Sequence, residues 1–280
     1  MKITVLGASG FIGRHLCTAL RARGDLVTTA SLRDPVGAAA VSAEADVVVN
    51  LAGEPVAQRW TSNVKELIRT SRVDAPRAFL TELARQTTKP MAYVSASAIG
   101  YYGTSETAEF DESSAPGSDF LAEVCVKWEA EADHAAEFGM RVAKVRTGLV
   151  LGTDGGALAK LLPIYKLGAG GIVASGRQWY SWIHIDDQIG VYLHAIDGVD
   201  GVLDATAPTP VRNAEFTSAL AKAVKRPAFL PAPKFAIGLV LGEGAVVVTD
   251  GQCVLPSRTQ STGYQFKYQT IDAALAALLG

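Results

Sequence analysis

The chain is poor in the residues that build secreted, metal-dependent or membrane-embedded proteins. Its three cysteines, Cys17, Cys125 and Cys253, are widely separated and form no CxxC pair. That spacing excludes a disulfide framework or a zinc ribbon, and the three read as small buried hydrophobes in a reducing compartment. There are only four histidines and no HExxH run, so the common metal motifs are missing. Neither sign of charge dominates: 26 basic residues against 28 acidic ones leave a net charge of −2. Nothing in that balance recruits nucleic acid or an anionic membrane. No apolar run reaches membrane-spanning length, and no basic stretch followed by an apolar one opens the chain. A cytoplasmic protein is expected. Repeats, low-complexity tracts and tethers are also absent.

What is present is alternation. "KITVLGA" (2–8), "DLVTTASL" (25–32), "DVVVNLAG" (46–53), "MAYVSASA" (91–98) and "RVAKVRTGLVLG" (141–152) are apolar or β-branched runs of strand length. Between them lie helical stretches. Residues 11–24 carry a stripe at Ile12, Leu16, Ala19 and Leu20, stopped by Gly24. Residues 61–86 form one long helix bent near Pro76. Residues 118–137 form another, with Ser118 as its cap and Trp128 in its apolar face. The strands look buried on both faces, which predicts an α/β fold with a doubly wound parallel sheet of the Rossmann type. Beyond Gly152 the texture becomes Gly- and Pro-punctuated. We expect a dinucleotide-binding domain over 1–152, rejoined by 179–205, and a smaller α/β substrate lobe from 153–178 and 206–280.

"GASGFIG" (7–13) lies between the first strand and the first helix. Gly7 suits a tight turn, Gly10 lets backbone approach a pyrophosphate, and Gly13 lets helix and strand pack closely. The helix N-terminus adds free N–H groups and partial positive charge. The second strand ends "TTASLRDP" with no acid on the strand itself; its polar candidates are Ser31 and Arg33. An Arg–phosphate contact contributes about 1.5–3 kcal/mol, which favours NADP(H). Asp34 is the competing reading, because a shift of one or two residues would bring a carboxylate to the ribose and favour NAD(H).

"GASGFIG", "NLAG", "SASAIGYYG", "RTGLVLG" and "WIHIDD" together resemble the extended short-chain dehydrogenase/reductases of the NAD-dependent epimerase/dehydratase group. "NLAGEPVAQRWT", "VKWEAEA", "VRNAEF" and "GQCVLPSRTQSTGYQF" are similar, more closely, to an atypical branch of type 39U with a C-terminal domain of unknown function, some of whose members are labelled cell-division inhibitors. The likeness spans residues 1 to about 278. It implies that Gly7, Ser9, Gly10, Phe11 and Ile12 line the pyrophosphate. Arg33 would meet the 2′-phosphate, and Leu51, Ala52 and Gly53 the adenosine side. Ser95 and Ser97 would lie near the nicotinamide ribose.

The superfamily's proton chemistry uses a Ser or Thr with a Tyr-x-x-x-Lys pair on the next helix. Ser97 fits the first part. Aligning Glu129 with the acid that follows the pair puts Leu121 and Cys125 at the Tyr and Lys positions; the alternative register puts Glu123 and Lys127 there. Neither supplies a tyrosine. Tyr101 and Tyr102, just past Ser97, are the remaining proton-transfer candidates. The other readings are a redox step that needs little acid catalysis, and a nucleotide-binding protein that catalyses nothing.

Glu54, Arg59 and Trp60 follow a strand at the ligand end of the sheet, and Arg177 and Gln178 lie on a glycine-flanked loop. These five are candidates for the substrate wall; for Glu54, Arg59 and Trp60 the alternative is a loop held by its own ion pair. His184 reads as structural, with the Asp pair after it capping a helix from about residue 187. "GTDGG" (152–156) reads as a mobile turn or lid. The expected partner is a small polar substrate, and the expected state a monomer or homodimer.

Overall fold

The computed structural model describes all of residues 1–280. Strand β1 (Lys2–Leu6) is buried from Ile3 onward. Helix α1 (Phe11–Ala22) buries Gly13, Leu16, Cys17 and Leu20. Its inward stripe is thus rotated by about one residue from the expected one. Gly24, at φ +90°, turns the chain into β2 (Leu26–Ala30). Helix α2 (Pro35–Ser42), which the sequence pattern did not announce, starts with proline at its first position and Asp34 as its cap. Strand β3 (Val47–Asn50) is buried throughout.

The long helix expected over 61–86 is two helices, α3 (Ser62–Arg72) and α4 (Asp74–Ala84), broken at Val73. The cause is Pro76, which has no N–H to give the Arg72 carbonyl and whose ring would clash with it. Next come β4 (Ala92–Ala98), the short β5 (Glu109–Phe110), α5 (Phe120–Asp133) and β6 (Arg141–Thr147). Asp119, rather than Ser118, caps α5, accepting from Ala122 N at 3.0 Å.

The second half contributes β7 (Leu149–Leu151), α6 (Gly156–Lys166), β8 (Trp179–Tyr180), β9 (Trp182–His184), α7 (Ile185–Ile196) and β10 (Gly201–Ala205). It finishes with β11 (Val211–Arg212), α8 (Asn213–Ala223), α9 (Lys234–Leu241), α10 (Val246–Thr249), β12 (Cys253–Val254), α11 (Ser257–Ser261) and α12 (Ile271–Leu279).

Six parallel strands form the central sheet in the order β10-β6-β4-β3-β1-β2. Side chains alternate across it. Val5, Val49, Val94, Val145 and Leu203 pack under α1 and α7 on one face. Leu6, Val48 and Tyr93 pack under α2, α4 and the end of α5 on the other. Each such buried aliphatic side chain contributes about 1.5–3 kcal/mol, which fixes register, since a one-residue slip would swap the faces. A third core joins α6, α8 and α12 around Trp182 and Phe216. The C-terminal part does not stay wholly in that lobe: Phe266 belongs to the sheet-side core, and β12 pairs with β5. β1 has β2 on one side and β3 on the other, so chain direction across the sheet reverses there. That is where open α/β sheets bind ligands, beyond the carboxyl ends of their strands.

Candidate functional site

The loop after β1 is shaped by two close approaches. Gly7 has φ +80°, and a Cβ there would lie 2.8 Å from Ala52 N; a Cβ on Gly13 would lie 2.4 Å from Gly7 O. Gly10 differs: a Cβ there would meet only Gly7 O, at 3.3 Å, so open space lies beyond it. Gly10 caps α1 without any side-chain acceptor, leaving the first-turn N–H groups free to bind an anion. Ser9 is exposed and Ile12 half-buried. The Phe11 ring does not point at the loop's mouth. It lies on the 152–156 turn, where a Cβ at Gly152 or Gly155 would fall 2.5 or 2.4 Å from it. Asp154 of that turn bonds His15 at 3.0 Å and pairs with Arg14 at 3.5 Å. The turn expected to be mobile is therefore tied to α1.

At the end of β2, Arg33 is exposed and its guanidinium meets no carboxylate, while its backbone N–H bonds Ser31 Oγ at 3.3 Å. The Asp34 carboxylate is engaged as the α2 cap, accepting from Gly37 N at 3.0 Å. That removes the competing reading of this strand end. Leu51 and Ala52 pack onto the two sheet cores, and exposed Gly53 faces the Arg72 guanidinium. Ser95 is a correction: it is 1% exposed, paired with Asn50 in mid-sheet, and its hydroxyl donates to Ala96 O.

A family model described as the NAD dependent epimerase/dehydratase family matches residues 3–204, and a domain of unknown function matches residues 232–278. The chain belongs to the NAD-dependent epimerase/dehydratase family. It is 41% identical over 302 residues to the Arabidopsis thaliana protein named epimerase family protein SDR39U1 homolog, chloroplastic, covering 100% of this chain and 87% of that one. It is 37% identical over 293 residues to human epimerase family protein SDR39U1, covering 100% of both. A crystal structure of the human protein (isoform 2) with NADPH superposes with TM-score 0.92 at 35% identity, covering 100% of this chain and 99% of that one. A UDP-glucose 4-epimerase from Thermotoga maritima solved with UDP-glucose, at 17% identity and TM-score 0.82 over 100% of this chain and 97% of that one, shares the fold. No helix is long and apolar enough to cross a membrane.

At the end of β4 the structure shows which register of α5 faces the sheet. A Cβ on Gly100 would lie 3.3 Å from Leu121 Cβ and 3.9 Å from Cys125 Sγ. The first of the two registers is the one that faces the strand end, whereas Glu123 and Lys127 are exposed. Burial pushes the Cys125 thiol up to about 12, so it stays protonated and inert.

The polar groups around Ser97 are joined to one another. Ser97 stands opposite Arg146 in the sheet and donates to Glu129 at 2.7 Å. Arg146 grips both Glu129 oxygens, at 2.7 and 2.8 Å, and donates to Tyr102 Oη at 2.9 Å. Tyr102 in turn donates to Asp204 at 2.7 Å. All five residues are buried. Burial, with Asp204 adding to it, pushes the Tyr102 phenol far above its ordinary value. Burial works against the Arg146 charge, but Glu129 outweighs it and holds the guanidinium above the ordinary arginine value. Burial, with Glu112 next, raises the Asp204 carboxyl. Tyr102 is therefore a closed structural link and not an accessible proton donor. Tyr101 is half-buried, its hydroxyl takes no protein partner, and its ring stacks on Arg146 with the guanidinium carbon 3.4 Å from the ring centre.

The five wall candidates divide. Trp60 is buried, donates to Val56 O at 2.9 Å and packs on Phe120. Gln178 is 2% exposed and bridges Val173 O and Val248 O. Both hold loops together and do not face a crevice. Arg59 is exposed but anchored on Leu239 O at 2.7 Å. Glu54 accepts from Gln58 at 3.1 Å, and exposed Arg177 pairs with Glu106 at 3.0 Å. No Glu54–Arg59 ion pair forms. His184, not the Asp pair, caps α7, accepting from Asp186 N at 3.0 Å. Asp187 instead receives the N–H groups of Lys267 and Tyr268, at 2.8 and 2.9 Å.

The sequence reading missed Arg72, Glu129, Arg146 and Asp204 as site-forming residues. A signal existed for two of them: Arg146 and Asp204 are charged residues inside otherwise apolar strands.

Proposed function

We propose that the protein is an NADP(H)-dependent oxidoreductase or epimerase-like enzyme acting on a small polar substrate, with the usual Tyr-x-x-x-Lys pair replaced. The observation that carries this is the combination at one sheet edge of uncapped α1 N–H groups behind Gly10 and a guanidinium at Arg33 with no protein partner. The residues fit the cofactor: Gly7 to Gly13 would hold its pyrophosphate, Arg33 its 2′-phosphate, and Leu51 to Gly53 its adenosine side. Bound there, the cofactor supplies hydride transfer. Its presence in the human relative's structure supports the assignment.

Within this reading Tyr101 carries the proton at the substrate oxygen, since its hydroxyl alone among Ser97, Tyr101 and Tyr102 is uncommitted. The Arg146 guanidinium, 3.4 Å from the centre of its ring, holds that ring in place. Glu129 and Tyr102 hold Arg146 in place, and Ser97 donates to Glu129. The protein, incubated with NADPH and a panel of small polar carbonyl compounds, should consume NADPH with at least one of them. Tyr101→Phe should then reduce turnover by about 10²-fold or more with unchanged NADPH affinity. Failure to bind NADPH overturns the reading.

A second reading, a non-catalytic NADP(H)-dependent regulatory or interaction protein, is favoured by α9. No residue of that helix is buried, and Phe235, Leu239 and Val240 are 73%, 72% and 68% exposed. Tight NADPH binding without turnover across the panel would select it.

A further inference from the structure

Helix α6 is apolar on both of its sides. Leu158, Leu162 and Tyr165 are buried in the third core. The outward side of such a helix is ordinarily polar, yet here it presents Pro163, Ile164 and Leu167, with Ile164 46% and Leu167 85% exposed. Lys160 and Lys166 flank them and are also exposed. Residues 225–230 lie alongside the end of this helix: Arg226 Nε donates to Lys166 O at 3.2 Å, and Leu230 N to Gly170 O at 3.1 Å. That segment adds the exposed cations Lys225 and Arg226, and Phe229 and Leu230 at 71% and 49% exposed. Ile164 and Leu230 also rim a cavity of 110 Å³ whose other walls include Leu161, Tyr165 and Phe216, with no charged group among them. The apolar character therefore runs inward from the surface.

The charge on this surface has one sign. Residues 155–176 and 216–242 contain six Lys and Arg and no Asp or Glu. Lys222 and Lys234 find acids from elsewhere, Asp272 at 3.6 Å and Asp250 at 3.0 Å, whereas Lys160, Lys166, Lys225 and Arg226 form no ion pair. The whole-chain balance of −2 conceals this asymmetry, and a partner within a Debye length meets the local charge.

Protruding apolar side chains among unpaired cations match a layer of hydrocarbon beneath a layer of phosphate. A second copy matches poorly, because a two-fold interface would set this patch against itself and lay cation on cation. Protein interfaces are depleted in lysine, whereas a lysine beside a bilayer buries its stem and keeps its ammonium among the headgroups. We propose that this face of the C-terminal lobe docks on an anionic lipid bilayer. Leu167 and Phe229 enter the acyl boundary, and Lys160, Lys166, Lys225 and Arg226 meet lipid phosphates. The contact is peripheral, since no helix is long and apolar enough to cross a membrane.

The test sediments the full-length protein with vesicles of phosphatidylcholine alone or with about 30% phosphatidylserine. Binding should be at least about tenfold stronger to the serine-containing vesicles, and that preference should vanish near about 1 M salt, where the Debye length shrinks to about 3 Å. Each cation at such a surface is worth about fivefold, so Lys160→Glu combined with Lys225→Glu should weaken binding by about 25-fold or more. Leu167→Gln combined with Phe229→Gln should weaken it at least about tenfold. All four side chains are exposed, so melting temperature and NADPH affinity should not move. Leu167→Trp, as an independent readout, should shift its fluorescence to the blue when anionic vesicles are added. Equal binding to both vesicle types, no binding to either, or an unshifted Leu167→Trp emission overturns the proposal. Self-association in sedimentation velocity that Leu167→Gln with Phe229→Gln abolishes, without vesicle binding, also overturns it and gives the face to a second copy.

Discussion

The two ends of the sheet's carboxyl edge treat their polar groups in opposite ways. Beside β1 and β2 the donors are left open: no side chain caps α1, the Arg33 guanidinium has no protein partner, and Gly10 leaves space. Beside β4 and β6 the polar groups are closed on each other: Ser97, Glu129, Arg146, Tyr102 and Asp204 form one buried chain. Open donors at a strand edge suit a ligand, whereas a satisfied network implies rigidity. The first region is built to receive something, and the second to hold Tyr101 and the strand ends still.

Breaking the closed region should have the largest effect. Glu129→Ala leaves Arg146 as a buried, half-paired cation and should cost about 3–5 kcal/mol in urea-monitored stability; a loss below 1 kcal/mol would show the network to be slack. The open region should respond in binding and not in stability. Gly10→Val should abolish NADPH affinity by at least about a hundredfold while the melting temperature moves little. Gly13→Val, whose Cβ would press on Gly7 O at 2.4 Å, should unfold the loop. Equal melting temperatures for these two variants would erase the distinction between them. Arg33→Ser should weaken NADPH by about tenfold to a hundredfold and leave NADH unchanged, as calorimetry with both nucleotides would read.

The smallest effect concerns pH. Burial holds the His184 imidazole below its ordinary 6.5, against the opposing pull of Asp186 and Asp187. A base whose folded value is lowered contributes stability that is fully present above the unfolded value and is lost as pH falls through the folded one. His184→Asn, which keeps a helix-capping acceptor, should therefore flatten the decline of melting temperature as pH falls below about 6.5. An unchanged slope would place that decline elsewhere.

The fold was legible where one local signal sufficed. The parallel strands showed as apolar runs, and the glycine loop as a strand–turn–helix with its spacing intact. The α3/α4 break and α2 were harder. The first needed Pro76 to be read as a stop and not a bend, and the second rests on the Asp34–Pro35 start of a short, alanine-rich helix. The adenine end of the site was legible because Arg33 sits on the strand it serves. The reaction end was not. Glu129 meets Ser97 from another helix, Asp204 meets Tyr102 across 102 positions of sequence, and Arg72 reaches Gly53 from a third element. Loop residues such as Trp60 and Gln178 carry types that suit a ligand wall, and only their burial shows that they hold the protein's own loops.

Glu112 receives the backbone N–H of Asp204 at 3.1 Å, those of Arg258 and Thr259 at 2.8 Å each, and the Thr259 hydroxyl at 2.8 Å. Three of those four donors belong to Arg258 and Thr259, which follow the last strand of the central sheet in the chain. The strands of the nucleotide half are complete once Ala205 has been made, yet one of its carboxylates lacks most of its partners until residue 259. Synthesis and closure of this half are thereby tied together: a nascent chain truncated anywhere between these points carries a finished sheet with an unfinished seam.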